Sequence, residues 1–265
     1  MTDDLFELDI PDMEPTEKID KKFKKPIKIA LIGDIHIGSP NWLKQFTYDT
    51  FEMIKNSKNM YWIGMGDYME FATPHSVGSG WVEQILTPDE QKITTKYLFR
   101  KVKSKCLGLH HGNHDDRSKK PVGITETLHL ADDLKVPWLD EVCTFNLQLP
   151  NKEYSLTTTH GVSASTLPHT KLRVVYDMAK TWNDDILAHA HMHTLQTKAA
   201  DYYHRGIQKT RLLALSGSFM RYGGYAKKKL YPPETAGFPV LHLSDSNMHF
   251  TEHRYNFEKY SQDKE

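Results

Sequence analysis

The fold open to this chain of 265 residues is constrained most by five short polar clusters, each of which follows an apolar run that resembles a strand. The runs are short enough for buried strands, and glycine stands in most of the clusters. Open α/β sheets gather their ligands at the carboxyl ends of the strands, so we expect the clusters to meet at one edge. The clusters are Gly33–His36, Gly66–Asp67, Gly112–Asp115, His160–Gly161 and His191–His193.

The side chains in these clusters are ones that bind first-row metal ions in proteins. Two pairs of them stand two positions apart, and on an extended segment both members of such a pair point the same way. Asp67 can bridge two cations through its two oxygens, and Asn113 supplies a carbonyl oxygen. Seven donors exceed the needs of one tetrahedral zinc and suit two divalent cations. The candidate ligands are Asp34, His36, Asp67, Asn113, His160, His191 and His193.

Two cations about 3.5–4 Å apart favour phosphoryl chemistry, because they stabilise both the attacking and the leaving oxygen. Water held between them is expected to become a hydroxide nucleophile at neutral pH. His114 follows Asn113 and is the candidate to protonate the leaving oxygen. Asp115 either orients His114 or holds the loop. Taken singly, each cluster is also compatible with a surface turn or a buried histidine, so the hypothesis depends on all five together.

The order of the expected elements indicates the fold class. Strand and helix alternate in the first half, and strands dominate the second, which favours two packed sheets flanked by helices. Thr87–Glu90 forms a capping box with proline at the first helical position, which predicts a helix to about Lys103. We expect a flexible tail over 1–25, acidic then basic, a single domain over 26–255 and a polar tail over 256–265.

Composition excludes several classes of protein. Lys and Arg together number 34, as do Asp and Glu, so the chain lacks the net charge of a protein that relies on nonspecific attraction to nucleic acid. Cys106 and Cys143 are expected to be reduced thiols in a cytoplasmic protein. No apolar run approaches the roughly 18 residues that span a membrane. The oligomeric state is not indicated by the sequence.

In their order and spacing, the clusters resemble the calcineurin-like metallophosphoesterase superfamily over roughly Lys28–His193. The resemblance implies a four-layer α/β/β/α sandwich and hydrolysis of phosphomonoesters or phosphodiesters. It also implies a bridging role for Asp67 and an acid role for His114. The implied ligands are Asp34, His36 and His193 for one metal, and Asn113, His160 and His191 for the other.

The chain departs from the family pattern at two places. Ala190 stands where glycine usually precedes the paired histidines, and His189 then offers a competing ligand. Asp185 falls where the family often carries an acid before this strand, and aligning on it selects His191 and His193. Asp116–Arg117 occupies the place where proline often follows the third cluster.

Substrate preference is inferred from basic and aromatic side chains near the clusters. Arg117, Arg173 and Arg221 are the candidate substrate-binding residues, and each is also compatible with a solvated surface position. The segment Arg221–Tyr231 mixes basic and aromatic residues, which favours a phosphodiester in a nucleotide or nucleic acid. The alternatives are a phosphomonoesterase on nucleotides or phosphoproteins, a DNA exonuclease, and a scaffold without catalysis. Manganese is the expected cofactor, with zinc, iron or magnesium as alternatives.

Overall fold

Two six-stranded sheets form the centre of the molecule in a computed structural model, which describes residues 14–76, 80–163 and 168–260. The strands are β1 (Lys18–Lys22), β2 (Ile27–Ile32), β3 (Met60–Gly64), β4 (Cys106–His110), β5 (Trp138–Asp140), β6 (Val142–Gln148), β7 (Glu153–Thr159), β8 (Ile186–His189), β9 (Leu195–His204), β10 (Ile207–Ser216), β11 (Gly237–Leu243) and β12 (Met248–Arg254). The helices are α1 (Lys44–Asn56), α2 (Gly80–Glu83), α3 (Pro88–Arg100), α4 (Lys119–Val122), α5 (Glu126–Leu134), α6 (Pro168–Lys171), α7 (Arg173–Thr181) and α8 (Gly224–Lys228).

Both sheets are mixed. Sheet 1 has the order β12-β11-β2-β3-β4-β5, in which β2 to β5 are parallel and β11 and β12 are antiparallel. Sheet 2 has the order β1-β6-β7-β8-β10-β9, and β8 is parallel to both of its neighbours. Because β2, β3, β4, β7 and β8 all deliver their carboxyl ends toward the polar clusters, the strand arrangement agrees with the expected meeting point.

Three hydrophobic layers hold the sheets and helices together. Alternate residues of β2 face opposite ways, so Ile29 and Leu31 pack between the sheets while Ala30 and Ile32 pack under the helices of sheet 1. α1 and α3 cover the outer face of sheet 1, and α7 covers the outer face of sheet 2. The predicted four-layer α/β/β/α sandwich of two mixed sheets is therefore confirmed.

Helix α3 begins as predicted and supports the edge where the clusters lie. The Thr87 side chain accepts a hydrogen bond from the Glu90 N–H, and the Glu90 carboxylate accepts one from the Thr87 N–H. The buried Gln91 side chain accepts a hydrogen bond from the Phe71 N–H at 2.8 Å. A Cβ on Gly38 would lie 2.5 Å from the Gln91 side chain, so the loop after β2 passes close against this helix. The helix ends at Arg100, three residues before the predicted Lys103.

The N-terminal tail prediction is wrong for part of its length. Lys18–Lys22 forms β1, which pairs in parallel with β6 at the edge of sheet 2 and buries Ile19. The segment forms a strand despite its polar composition, because its backbone groups find hydrogen-bond partners in β6. An edge strand of this kind needs only one buried apolar side chain. Residues 1–13 of the predicted tail lie outside the described residues.

The C-terminal tail prediction is also wrong up to Tyr260. This side chain is buried, stacks on Tyr255 and donates a hydrogen bond from its hydroxyl to Asp49 at 2.9 Å. The polar composition of the segment does not reveal that one aromatic ring is buried, yet this ring is sufficient to pack the segment against the domain. Residues 261–265 lie outside the described residues.

Two further expectations concern thiols and membranes. Cys106 and Cys143 are free thiols, as predicted. Among the helices of the described ranges, none combines the length and apolarity required to cross a bilayer.

Replacing Thr87 with alanine is expected to destabilise the protein by about 1 kcal/mol, because α3 loses the hydroxyl that caps its first turn. Equilibrium unfolding in urea measures the change. Thr87→Ser is the matched control and retains most of the stability. Equal stabilities of the two variants would show that the cap contributes nothing.

Candidate metal centre

The first group of candidate ligands joins the two sheets. Asp34 and His36 follow β2 of sheet 1, and His193 follows β8 of sheet 2. Asp34 Oδ1 lies 3.2 Å from His193 Nε2, and His36 Nε2 lies 3.2 Å from the same nitrogen. Two ligands of one cation, each about 2.0–2.2 Å from it, stand about 3–3.5 Å apart. The three side chains therefore have the spacing of ligands that share a cation.

The second group contains Asp67, Asn113, His160 and His191. His160 Nε2 lies 3.5 Å from Asp67 Oδ2 and 3.4 Å from Asn113 Oδ1. Asp67, His160 and His191 each offer one ligand atom within 4.8 Å of the others. His160 Nδ1 donates to the Met65 carbonyl oxygen at 2.7 Å, which directs Nε2 toward the cluster. A backbone carbonyl on the far nitrogen is the usual support of a metal-binding histidine.

Asp67 lies between the two groups. Its Oδ2 is 3.8 Å from His36 Nε2 and 3.5 Å from His160 Nε2, while its Oδ1 accepts the His114 backbone N–H at 2.8 Å. Asp34 Oδ1 is buried and has no hydrogen-bond partner among the described residues. Such an oxygen is costly in a protein interior unless a cation satisfies it. The donor set therefore fits metal binding in chemistry and in spacing.

The backbone reaches this arrangement through left-handed conformations, and the expectation of extended segments is wrong. Five candidate ligands have φ between 50° and 64°, a region in which a residue other than glycine costs about 1–3 kcal/mol. The chain therefore turns at these positions and does not run extended through them. These residues are Asp34, His36, Asp67, His191 and His193.

Charge in the cluster is balanced between buried carboxylates and imidazoles. Burial alone would lower the pKa of His160, but the Asp67 carboxylate offsets this and raises it to about 10. Burial opposes ionisation of Asp67, yet the surrounding histidines hold its pKa well below the usual value. Both shifts indicate that the site favours positive charge beside Asp67.

Asp115 holds the loops, one of the two roles expected for it. Its carboxylate accepts backbone N–H groups from Asp67 at 2.7 Å, Tyr68 at 3.1 Å and Gly112 at 3.1 Å. A Cβ at Gly112 would lie 2.0 Å from Asp67 Oδ1, so the two loops touch where only glycine fits. Asp115 thereby ties the third cluster to the second.

His114 is partly buried and lies beside Arg117. Arg117 Nη2 donates to His114 Nε2 at 3.0 Å, and His114 Nδ1 donates to the Glu70 carbonyl oxygen at 3.2 Å. Burial lowers the pKa of His114 to about 3. The ring is therefore neutral here, and its Nε2 lone pair faces the guanidinium.

Glu70 is a functional candidate that the sequence reasoning missed. Its carboxylate lies 3.3 Å from His36 Nδ1, 3.5 Å from His114 Nδ1 and 2.9 Å from Arg117 Nη1. Although burial opposes ionisation, the hydrogen bond and charge of His36, together with the charge of Arg117, lower the pKa of Glu70 to about 2. Its position three residues after Asp67 was the available signal.

The three arginines proposed for substrate binding differ in position. Arg117 is within the cluster. Arg221 is near it, because the Arg221 N–H donates to Asn41 and the Phe219 N–H donates to the Asp34 carbonyl oxygen. Arg173 is 75% exposed and pairs with Asp177 one turn along α7. The structure thus brings the Arg117 side chain to the site and the Arg221 backbone near it, and it leaves Arg173 on the surface.

His189, the competing candidate, belongs to neither group of candidate ligands among the described residues. Its Nδ1 donates to the Ala190 carbonyl oxygen, and a Cβ on Gly161 would lie 2.0 Å from its Nε2. Burial lowers the pKa of His189 to about 4. The imidazole is packed against backbone, whereas His191 and His193 point into the two ligand groups.

Solved structures with a similar fold include three at low identity. Vps29 from Entamoeba histolytica, complexed with zinc, is 15% identical, covers 87% of this chain and 99% of its own, and has a TM-score of 0.48. A metallophosphoesterase from Sphaerobacter thermophilus is 12% identical, with coverage of 89% and 92% and a TM-score of 0.44. A predicted phosphoesterase from Streptococcus pneumoniae is 12% identical, with coverage of 88% and 100% and a TM-score of 0.41.

Sequence comparison is more decisive. None of the curated proteins matches the chain. The family model described as calcineurin-like phosphoesterase matches residues 27–225, well over half of the chain, and this range contains all five polar clusters. The resemblance inferred from those clusters is confirmed, and the chain belongs to the calcineurin-like phosphoesterase family.

Proposed function

We propose that this protein hydrolyses phosphodiesters with two divalent cations bound side by side. The supporting observation is the position of Asp67, whose Oδ2 is within 4 Å of an imidazole nitrogen from each ligand group. One carboxylate shared by two donor sets is the arrangement that a bridging ligand requires. Asp34, His36 and His193 would hold one cation, and Asn113, His160 and His191 the other.

Bound cations would supply an acidified water and neutralise charge on the phosphoryl oxygens. The protein's own groups provide geometry and proton transfer. His114 would give a proton to the leaving oxygen from Nε2, the nitrogen that faces Arg117. When Arg117 turns to a phosphate oxygen, Nε2 would take up a proton from solvent water, and the Glu70 carboxylate near Nδ1 would stabilise the imidazolium so formed until that proton passes to the leaving oxygen.

A nucleotide or nucleic-acid substrate is favoured by side chains at the rim. Arg117 can contact the phosphate, and Arg221 follows a segment that is hydrogen-bonded to the Asp34 loop. Tyr222, next in the chain, is 42% exposed and offers a ring for stacking on a base. Arg173 is not expected to contact the substrate, because it is solvent-exposed on α7. Manganese is the proposed metal, and the mixed nitrogen and oxygen donor set also accommodates the alternatives zinc, iron and magnesium.

Metal-stripped protein is expected to be inactive and to regain activity with manganese. We expect kcat/KM for bis-(p-nitrophenyl) phosphate to exceed that for p-nitrophenyl phosphate, because the site is proposed to select diesters. Zinc, iron and magnesium are compared in the same assay. Preference for the monoester would favour a phosphomonoesterase, and failure to turn over either ester with any metal would favour a scaffold. Release of nucleotides from labelled DNA identifies an exonuclease.

His114→Gln is expected to lower kcat by about 10²–10⁴-fold while metal content is unchanged, because the variant loses the proton donor and no ligand. Metal analysis alongside the kinetics separates the two effects. His129→Gln, at an exposed position on α5, is the matched control and keeps full activity. Undiminished turnover by the His114 variant would remove this residue from the mechanism.

Glu70→Gln is expected to lower kcat by about 10–100-fold, because neither His36 nor His114 keeps its charged partner. The shape of the side chain is retained, so folding should be little affected. A pH profile of kcat distinguishes a positioning role, which shifts the profile, from a packing role, which does not. An unchanged profile with unchanged kcat would contradict the assignment.

A further inference from the structure

A further group of polar side chains, distinct from the seven candidate ligands, lies where β4 and β5 end. His111 follows β4, Asp140 ends β5, and Glu141 comes next. Because β4 and β5 are parallel neighbours, their carboxyl ends meet and bring these residues together. Asp116, in the turn after the third polar cluster, approaches from the other side.

The contacts are close and involve both ring nitrogens of His111. Nδ1 lies 2.8 Å from Asp140 Oδ1, and Nε2 lies 3.5 Å from Glu141 Oε1 and 3.7 Å from Asp116 Oδ2. His111, Asp140 and Glu141 each offer one ligand atom within 4.8 Å of the others. Glu141 is mostly exposed, so its side chain can rotate to tighten the set.

His111 is only 8% exposed, yet its Nδ1 has no hydrogen-bond partner among the described residues. Asp140 Oδ1 lies close to Nδ1, but the contact does not have the geometry of a hydrogen bond. Asp116 Oδ1 is also buried without a partner in the described part of the chain. Buried polar atoms left in this state carry a free-energy cost that a ligand would remove.

The carboxylates around His111 also lack positively charged partners. Within the described ranges, the ion pairs of Asp116, Asp140 and Glu141 join them to His111 alone. Among the described side chains, three carboxylates thus surround one imidazole with no lysine or arginine within ion-pair distance. A divalent cation would satisfy the unpartnered imidazole and offset the negative charge at once.

We propose that His111, Asp140 and Glu141, assisted by Asp116, bind a divalent cation separate from the dinuclear centre. One imidazole with several carboxylates favours manganese or zinc, whereas calcium and magnesium prefer oxygen ligands alone. Exposure of Glu141 leaves coordination positions open to water, and the site exchanges its cation more readily than the buried centre. This site does not depend on whether the dinuclear centre hydrolyses phosphoesters.

Equilibrium dialysis of the full chain against Mn²⁺ or Zn²⁺, with metal counted by mass spectrometry, tests the site. His111→Gln is expected to bind one equivalent fewer than the wild-type protein at saturation. His129→Gln, an exposed histidine on α5, controls for loss of an imidazole and keeps the wild-type count. The decisive quantity is a difference of one equivalent, so it is independent of how many cations the dinuclear centre holds.

A second variant avoids any disturbance of the buried histidine. Glu141→Gln is expected to weaken the most weakly bound equivalent by tenfold or more and leave the others unchanged. Glu153→Gln is the matched control, since Glu153 is exposed at the opposite end of the β6–β7 ladder. Equal metal counts and affinities in the wild-type protein and both site variants would overturn the proposal, and the contacts of His111 with the carboxylates would then be structural only.

Discussion

The buried carboxylates of Asp34 and Asp67 impose the requirement that the rest of the molecule satisfies. Both are essentially inaccessible to solvent, and they stand at the ends of the adjacent parallel strands β2 and β3. Burying two negative charges without compensation costs far more free energy than a domain has to spare. The surrounding imidazoles, together with the proposed cations, would provide that compensation, and donors from both sheets converge on this one edge.

Asp34 shows how closely folding and the site are linked. Its Oδ2 accepts the His191 backbone N–H at 3.0 Å, and its carbonyl oxygen accepts the Phe219 N–H at 3.0 Å. The same residue therefore fastens sheet 1 to two loops of sheet 2 and presents Oδ1 to His193. Asp115 plays the corresponding part between the second and third clusters through its backbone hydrogen bonds. Such cross-ties can hold the five left-handed residues in place against their strain.

Around the proposed ligands, Glu70 connects a metal-binding histidine to the groups that would handle the proton and the phosphate. It contacts His36, His114 and Arg117 at once. The separate cluster around His111 uses different carboxylates, although His111 itself stands only two residues before Asn113. Neighbouring strand ends thus supply two distinct sets of polar groups, one buried and one partly open to solvent.

The sequence by itself determined the family, the four-layer fold and the residues of the five clusters, because ligand side chains beside strand-like runs are local and keep their order along the chain. The start of α3 was equally predictable, since Thr87 and Glu90 cap it through contacts three residues apart. Only the tertiary structure decided that Glu70 and His111 lie beside other polar side chains, that Arg173 lies away from the site, and that Lys18–Lys22 forms a strand. Those outcomes depend on contacts between segments far apart in sequence, and the left-handed turns at the ligands depend on the packing of both sheets.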